Sequence, residues 1–387
     1  MKRKKLTASM IALVMSVSLP MTTYAANWYL EDGSVTVNAD NSGQTVTQGS
    51  GSAVPDEAPV ITQRENSVET GNTITVNAAE NATANVTISD VNIHTRDAAV
   101  SINGKGNVNI ELDGTNTLKS GVNHAGLEKK SDGNQGKLTI TDENENGKLI
   151  ATGGAGAAGI GGGYSGDGND ITITGGEITA TGGDCGAGIG GGTCAGGKNI
   201  TIAGGKVTAT GGLGAAGIGG GYSGDGNDIT ITDGKVTATG GDFGAGIGGG
   251  NHGEGKNITI TDGEVTAIGG LNGAGIGGGL RNNGEKITVS GDATLKVQGG
   301  PADTQDGAGA GIGNSGANEG GFAPVNGAEI EPDTSNLTTG KIEYYAPGAD
   351  MTKDKPTSTT LGSGQPEPVS PGETAAPVEY RMQTSAS

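Results

Sequence analysis

The pentapeptide G-I-G-G-G occurs five times in this chain, centred on Ile160, Ile189, Ile218, Ile247 and Ile276, each copy 29 residues after the last. The residues around it repeat as well: an I-T-I run, then a [EK]-[IV]-T-A-T-G-G run, then G-A-G-I-G-G-G. A strict period of this size is the signature of a repeat architecture, in which each unit closes its core only by stacking on its neighbours. That constraint outweighs composition. With 79 glycines, 10 aromatics and a net charge of −19 in 387 residues, the chain would otherwise read as disordered. A collagen helix is excluded because glycine does not fall at every third position.

Within one unit Ile171-Thr172-Ile173-Thr174 and Ile178-Thr179-Ala180-Thr181 alternate with period two. This predicts half-buried strands with Ile171, Ile173, Ile178 and Ala180 inward and the threonines outward. Gly175-Gly176 and Gly182-Gly183 mark corners, where a positive φ is often needed. Helix is disfavoured because the segments are short, glycine-rich and β-branched. Three strands and three corners per 29 residues predict an all-β fold, a right-handed parallel β-helix (β-solenoid) with 29-residue coils. Stacking then makes columns of isoleucine, 171, 200, 229, 258 and 287 in one and 173, 202, 231 and 260 in the next.

Two polar columns agree with in-register stacking. Asp170, Asn199, Asp228, Asn257 and Lys286 form one, and Asn169, Lys198, Asn227, Lys256 and Glu285 the other. Neither superposes like charges, which would repel at this spacing. Less regular turns are expected upstream, at Val35-Thr36-Val37, Val60-Ile61, Ile74-Thr75-Val76, Val86-Thr87-Ile88, Val91-Asn92-Ile93, Val100-Ser101-Ile102, Val108-Asn109-Ile110, Leu138-Thr139-Ile140 and Leu149-Ile150-Ala151.

The N-terminus has the form of a secretory signal. Lys2, Arg3, Lys4 and Lys5 precede an apolar Ile11–Leu19 run and a small-residue Thr23-Tyr24-Ala25 site. The expected organisation is a signal peptide at 1–25, an N-terminal cap with irregular first turns at 26–84, and the β-helix at 85–320 with regular repeats at about 153–290. A terminal segment at 321–387 follows, its Pro/Ser/Thr-rich part from about residue 350 read as a flexible tail. A secreted or cell-surface location follows, with no membrane insertion after signal removal. Losing the four basic residues takes the net charge from −19 to −23, which disfavours nucleic acid as a partner.

The two cysteines, Cys185 and Cys194, share one repeat. If the segment between them is extended, their Cα atoms lie beyond the roughly 7 Å limit for a bridge, so unpaired thiols are expected.

Candidate sites are few. If Ile160 points inward, Ala157, Gly159, Gly161 and Gly163 face out as bare backbone, either a trough for a linear polymer or a tightly packed corner. Tyr164 and Tyr222 follow G-I-G-G-G two turns apart, about 10 Å, and are candidate sugar platforms or simple corner covers. G-D-G-N-D at 166–170 and 224–228 makes Asp167 and Asp225 candidate calcium ligands, with an Asx-type turn as the alternative. No cofactor is required, and calcium is the one the sequence leaves open. Enzymatic chemistry is not expected: His94, His124 and His252 lie far apart, and no nucleophile elbow, phosphate loop or metal-spaced histidine pair is present.

The runs N-V-T-I-S-D-V-N-I-H-T at 85–95, A-A-V-S-I at 98–102 and N-V-N-I-E-L-D-G-T-N-T-L at 107–118 resemble the secreted carbohydrate-binding β-helix domain family of clostridia and related bacteria. N-H-A-G-L-E-K at 123–129 and the A-G-I-G-G-G arrays add to the resemblance, which covers roughly residues 30–320. It implies a right-handed parallel β-helix that often binds plant cell-wall or other polysaccharides, with calcium in some members. The function expected is therefore non-catalytic polysaccharide binding; the alternative is a structural or adhesive spacer that presents a partner-binding surface.

Overall fold

A computed structural model describes residues 26–130, 136–319 and 323–364; the expected signal peptide at 1–25 and residues 365–387 of the expected tail lie outside them. The fold is a right-handed parallel β-solenoid of about nine coils. Among the described residues the strands form one sheet of 18 strands, one of 12 and a two-stranded ribbon, and no helix is long and apolar enough to cross a membrane. In each regular coil the I-T-I strand (Ile171–Ile173) and the E-I-T-A-T strand (Glu177–Thr181) belong to the larger sheet, and the short G-I-G strand (Ile189–Gly190) to the smaller.

The register is the one the period predicts. Ile171 pairs with Ile200, Ile200 with Ile229 and Ile258 with Ile287, and upstream Ala84, Val108 and Leu138 continue the same column. Ile160, Ile189, Ile218 and Ile247 each donate their amide to the carbonyl 28 residues on, at 3.0 Å in every case. The inward aliphatics form one continuous core from Leu30 to Ile342. Each contributes about 1.5–3 kcal/mol by leaving water, and no single coil can bury its own.

Both ends are closed by the chain itself. At the N-terminal end Val35–Asp40 turns back antiparallel onto Gly43–Gln48, which pairs with the short Val54–Pro55. The Gln44 side chain donates to Asp56 O and Asn85 O at 3.0 Å each and accepts from Asn85 N at 2.9 Å. At the other end Lys341–Tyr345 adds in parallel to Thr294–Gln298, and Ser358–Leu361 adds antiparallel to that. The Glu329 carboxylate accepts the amides of Gly311 and Ile312, at 2.6 and 3.0 Å, on the last G-I-G strand. The first part of the terminal segment is thus built onto the stack: its apolar Ile342 and Tyr345 are buried, Ser358–Leu361 is paired, and this pairing shields an otherwise open parallel edge; residues 365–387 of the expected tail lie outside the described residues. Upstream of residue 85, Val35–Asp40 and Ile74–Ala78 stack in the smaller sheet, as the less regular first turns expected there.

The corners use glycine in two ways. Gly176 and its equivalents do take positive φ, +89° at Gly176. Gly182 and Gly183 do not; they are small because a Cβ there would collide with the carbonyl oxygens of Gly186 and Gly154. Three further corner columns hold left-handed residues that are mostly not glycine, such as Asp170, Asn199, Asp228, Asn257 and Lys286 at φ 53–55°. Each costs of order 1 kcal/mol, held because the amide must meet the neighbouring coil.

A charged column runs along the surface: Lys148, Glu177, Lys206, Lys235, Glu264. Lys206 and Lys235 are superposed, but Lys206 reaches Glu177 and Lys235 reaches Glu264, both at 2.9 Å. The Lys206 hydrogen bond, with Lys148 nearby, holds the Glu177 carboxyl below its usual range, and Lys235 does the same for Glu264. A carboxylate depressed in the folded state stabilises it above the ordinary carboxylate pKa and loses that contribution as pH falls through the folded value. Melting temperature should therefore drop on acidification from about pH 5 to pH 3, less steeply in Glu177→Gln/Glu264→Gln; equal slopes would mean the column does not couple to folding. Gly219→Ala should be far more damaging than an exposed glycine change, because φ is +131° and the new Cβ meets Gly248 O. A loss of more than about 1 kcal/mol in denaturant unfolding is expected.

Candidate functional site

The loop entering each G-I-G strand and the loop leaving it lie side by side: Ala158 N donates to Gly162 O at 2.9 Å, and Ala187, Ala216 and Ala245 repeat the bond. The strand is therefore covered by its own flanks. Ala157, Gly159 and Gly161 are buried and Gly163 half-buried, with Cβ positions on the three glycines blocked by neighbouring backbone or, at Gly163, also by Glu128. The bare-backbone trough is not present; the tightly packed corner is. Alternation would send these residues outward only if the strand continued, and it ends after two residues.

That corner carries the side chains of interest. Tyr164, Tyr222 and Phe243 are the only aromatics between residues 30 and 321, and all three lie on it. Tyr164 sits over Gly156 and Tyr222 over Gly214. The pairing is complementary along the stack: where the first position is glycine the second is tyrosine, and Phe243 is matched by the smaller Asn251 in its own coil. Both tyrosines thus cover a corner, yet Tyr164 remains 57% exposed. Tyr222 and Phe243 are half-buried.

At the N-terminal end of the same corner the structure pairs two residues that sequence spacing did not connect. Glu128 stands in register with Gly161, is 4% exposed, and its Oε2 lies 2.9 Å from His124 Nδ1 and accepts Ala125 N at 3.1 Å. The buried carboxylate fixes the imidazole through Nδ1. Tyr164 N donates to Asn123 O at 2.9 Å, which places this pair next to the first tyrosine. Aligning Leu127 with Ile160 would have located Glu128, but the 33-residue offset of that coil hid it.

Asp167 and Asp225 are engaged in stacking. Asp167 Oδ1 accepts Gly196 N at 3.0 Å and Asp225 Oδ1 accepts Glu254 N at 2.8 Å, each one coil on. Among the described residues no three His, Cys, Asp or Glu side chains gather as a metal site. A polar groove of about 560 Å³ lies at a different corner, between the I-T-I and E-I-T-A-T strands. It is walled by the Asp142–Gly147 insertion, where Asp142 Oδ1 accepts the amides of Asn146 and Gly147, and by Glu177 with the lysines already paired to it.

Comparison with known proteins bears on the coils. The family model described as the beta helix repeat matches residues 145–164, 171–193, 200–222, 229–251 and 258–280. All five matches fall within the regular coils and the turn that precedes them. Each of the last four matches starts at an I-T-I strand and ends at the corner position that holds Tyr222 in the third coil and Thr193, Asn251 or Leu280 in the others, so the beta helix model spans the full path from strand to corner. No curated protein and no solved structure was found to match the chain.

Because both aspartates already accept amide hydrogens, Asp167→Ala should cost about 1 kcal/mol equally with and without a calcium chelator. A chelator-sensitive melting temperature in the parent, abolished in the variant, would instead assign a cation there.

Proposed function

We propose that this protein is a secreted or cell-surface β-helix that binds a polysaccharide without cleaving it, along the corner that carries Tyr164, Tyr222 and Phe243. The observation that carries the reading is the concentration of every aromatic of the regular coils on one edge, with Tyr164 more than half exposed. An aromatic ring kept in water at an unchanging place on a rigid rod is a natural platform for the apolar face of a sugar. Tyr164 and Tyr222 are two coils apart, about 10 Å, which suits alternate residues of an extended glycan. The His124–Glu128 pair supplies an oriented polar group at one end of that edge. The resemblance of residues 85–118 to carbohydrate-binding β-helix proteins supports the same reading. The form of residues 1–25 supports export. Calcium is not required by this proposal.

The spacer alternative draws on the capped ends: a rod closed at both termini presents its sides, not its ends, to a partner. A glycan array separates the two readings, because a spacer gives no signal on any polysaccharide. Tyr164→Ala/Tyr222→Ala should weaken retention of the best polymer by roughly tenfold, about 1.4 kcal/mol, with an unchanged β-sheet spectrum. Retention equal to the parent would remove the corner as the binding edge.

A further inference from the structure

Cys185 and Cys194, the only cysteines of the chain, occupy the two places of one recurring backbone frame. Tyr222 N donates to Cys185 O at 2.9 Å and Tyr222 O accepts Cys194 N at 2.6 Å. In a parallel ladder a residue bonds in this way to two partners that flank the residue opposite it. Cys185 and Cys194 therefore stand to each other as residues two apart on a strand, with Cα atoms roughly 6.6 Å apart, inside the range that disulfides span. The frame is a property of the corner: Gly214 and Ser223 bracket Asn251, and Phe243 and His252 bracket Leu280, with the same bonds. The segment between the cysteines is not extended, which corrects the separation expected from the sequence. Ala187 N donates to Gly191 O at 2.9 Å and folds it back. Both thiols are free, Cys194 exposed and Cys185 half-buried.

We infer that Cys185 and Cys194 are a modification site, a dithiol that closes to an intrachain disulfide by exchange with a small-molecule disulfide. The exposed Cys194 thiolate attacks one sulfur of the reagent. The reagent's S–S bond breaks, one thiolate leaves and takes up a proton, and a mixed disulfide remains on Cys194. Cys185 then gives up its proton and attacks Cys194 Sγ, expelling the second thiol. The protein loses two protons and two electrons, and the reagent is reduced to two thiols. Burial, with the neighbouring Asp184 and Cys194, pushes the Cys185 thiol up, so the order of attack runs from Cys194 to Cys185. The bond would tie the coil that lies between the Tyr164 and Tyr222 coils, and it does not depend on what that edge binds.

The test is intact-mass analysis of the reduced full chain after incubation with oxidised glutathione. The expected product is a monomer lighter by two hydrogens and carrying no glutathione, restored by a dithiol reductant. Cys185→Ser should instead keep one glutathione on Cys194. Two stable glutathione adducts on the parent, or a disulfide-linked dimer in place of the lighter monomer, would overturn the inference. The Cys185→Ser adduct shows Cys194 to be reactive whichever way the parent behaves.

Discussion

The coil-to-coil hydrogen bond is the interaction on which everything else in this molecule rests. Each strand is too short to hold itself: the G-I-G strand is two residues long, and the I-T-I strand as short as three. An isolated coil would leave its backbone groups unpaired and its isoleucines wet. Placed in register on a neighbour, every amide of a strand finds a carbonyl one coil along and every inward aliphatic finds its own equivalent. Burial and backbone pairing are thus satisfied by one and the same displacement. The caps follow from the same requirement. A parallel stack must end somewhere, and here each end is finished by antiparallel strands, and the C-terminal one also by the Glu329 carboxylate, which takes amides that no further coil would meet.

The corners show how strongly that pairing rules local preference. Lys286, Arg281, His252 and Phe243 all sit in the left-handed region, at φ 53–73°. Their own propensities argue against it, and the adjacent coils impose it. Glycine, conversely, is often present for space and not for freedom. In the G-G pair at 182–183 neither residue has positive φ, and both are pressed against carbonyl oxygens. High glycine content, which in composition alone suggests disorder, is here the condition for backbone to approach backbone at the corners.

This economy of space also selects where function can lie. Because the corner loops flank each G-I-G strand, the smaller sheet offers no bare-backbone trough along the regular coils. What it offers is an edge on which side chains alternate in bulk, Tyr164 over Gly156 and Tyr222 over Gly214, with Cys185 and Cys194 in the coil between. The rigidity of the stack fixes their spacing without any dedicated scaffold. The same edge begins at a carboxylate–imidazole pair, His124 and Glu128, made possible because one coil departs from the repeat and places Glu128 where the others have glycine.

The sequence by itself determined the parallel β-helix, the 29-residue register and the inward columns, because a strict period makes each residue its own neighbour: Ile200 need only know where Ile171 and Ile229 are. The polar columns were legible for the same reason, and Asn199 and Asn257 do bond to Asp170 and Asp228. Only the tertiary structure decided the path between strands. Periodicity says that Gly161 lies beside Gly190 but not whether the chain beyond it runs on or folds back, so it could not show that the G-I-G strand is covered. Nor could it show that Cys185 and Cys194 face one residue, that Glu128 meets His124, or that residues 341–361 close the end of the stack. Those contacts lie within a coil or outside the repeat, where no translation relates the partners and where steric fit alone sets the geometry.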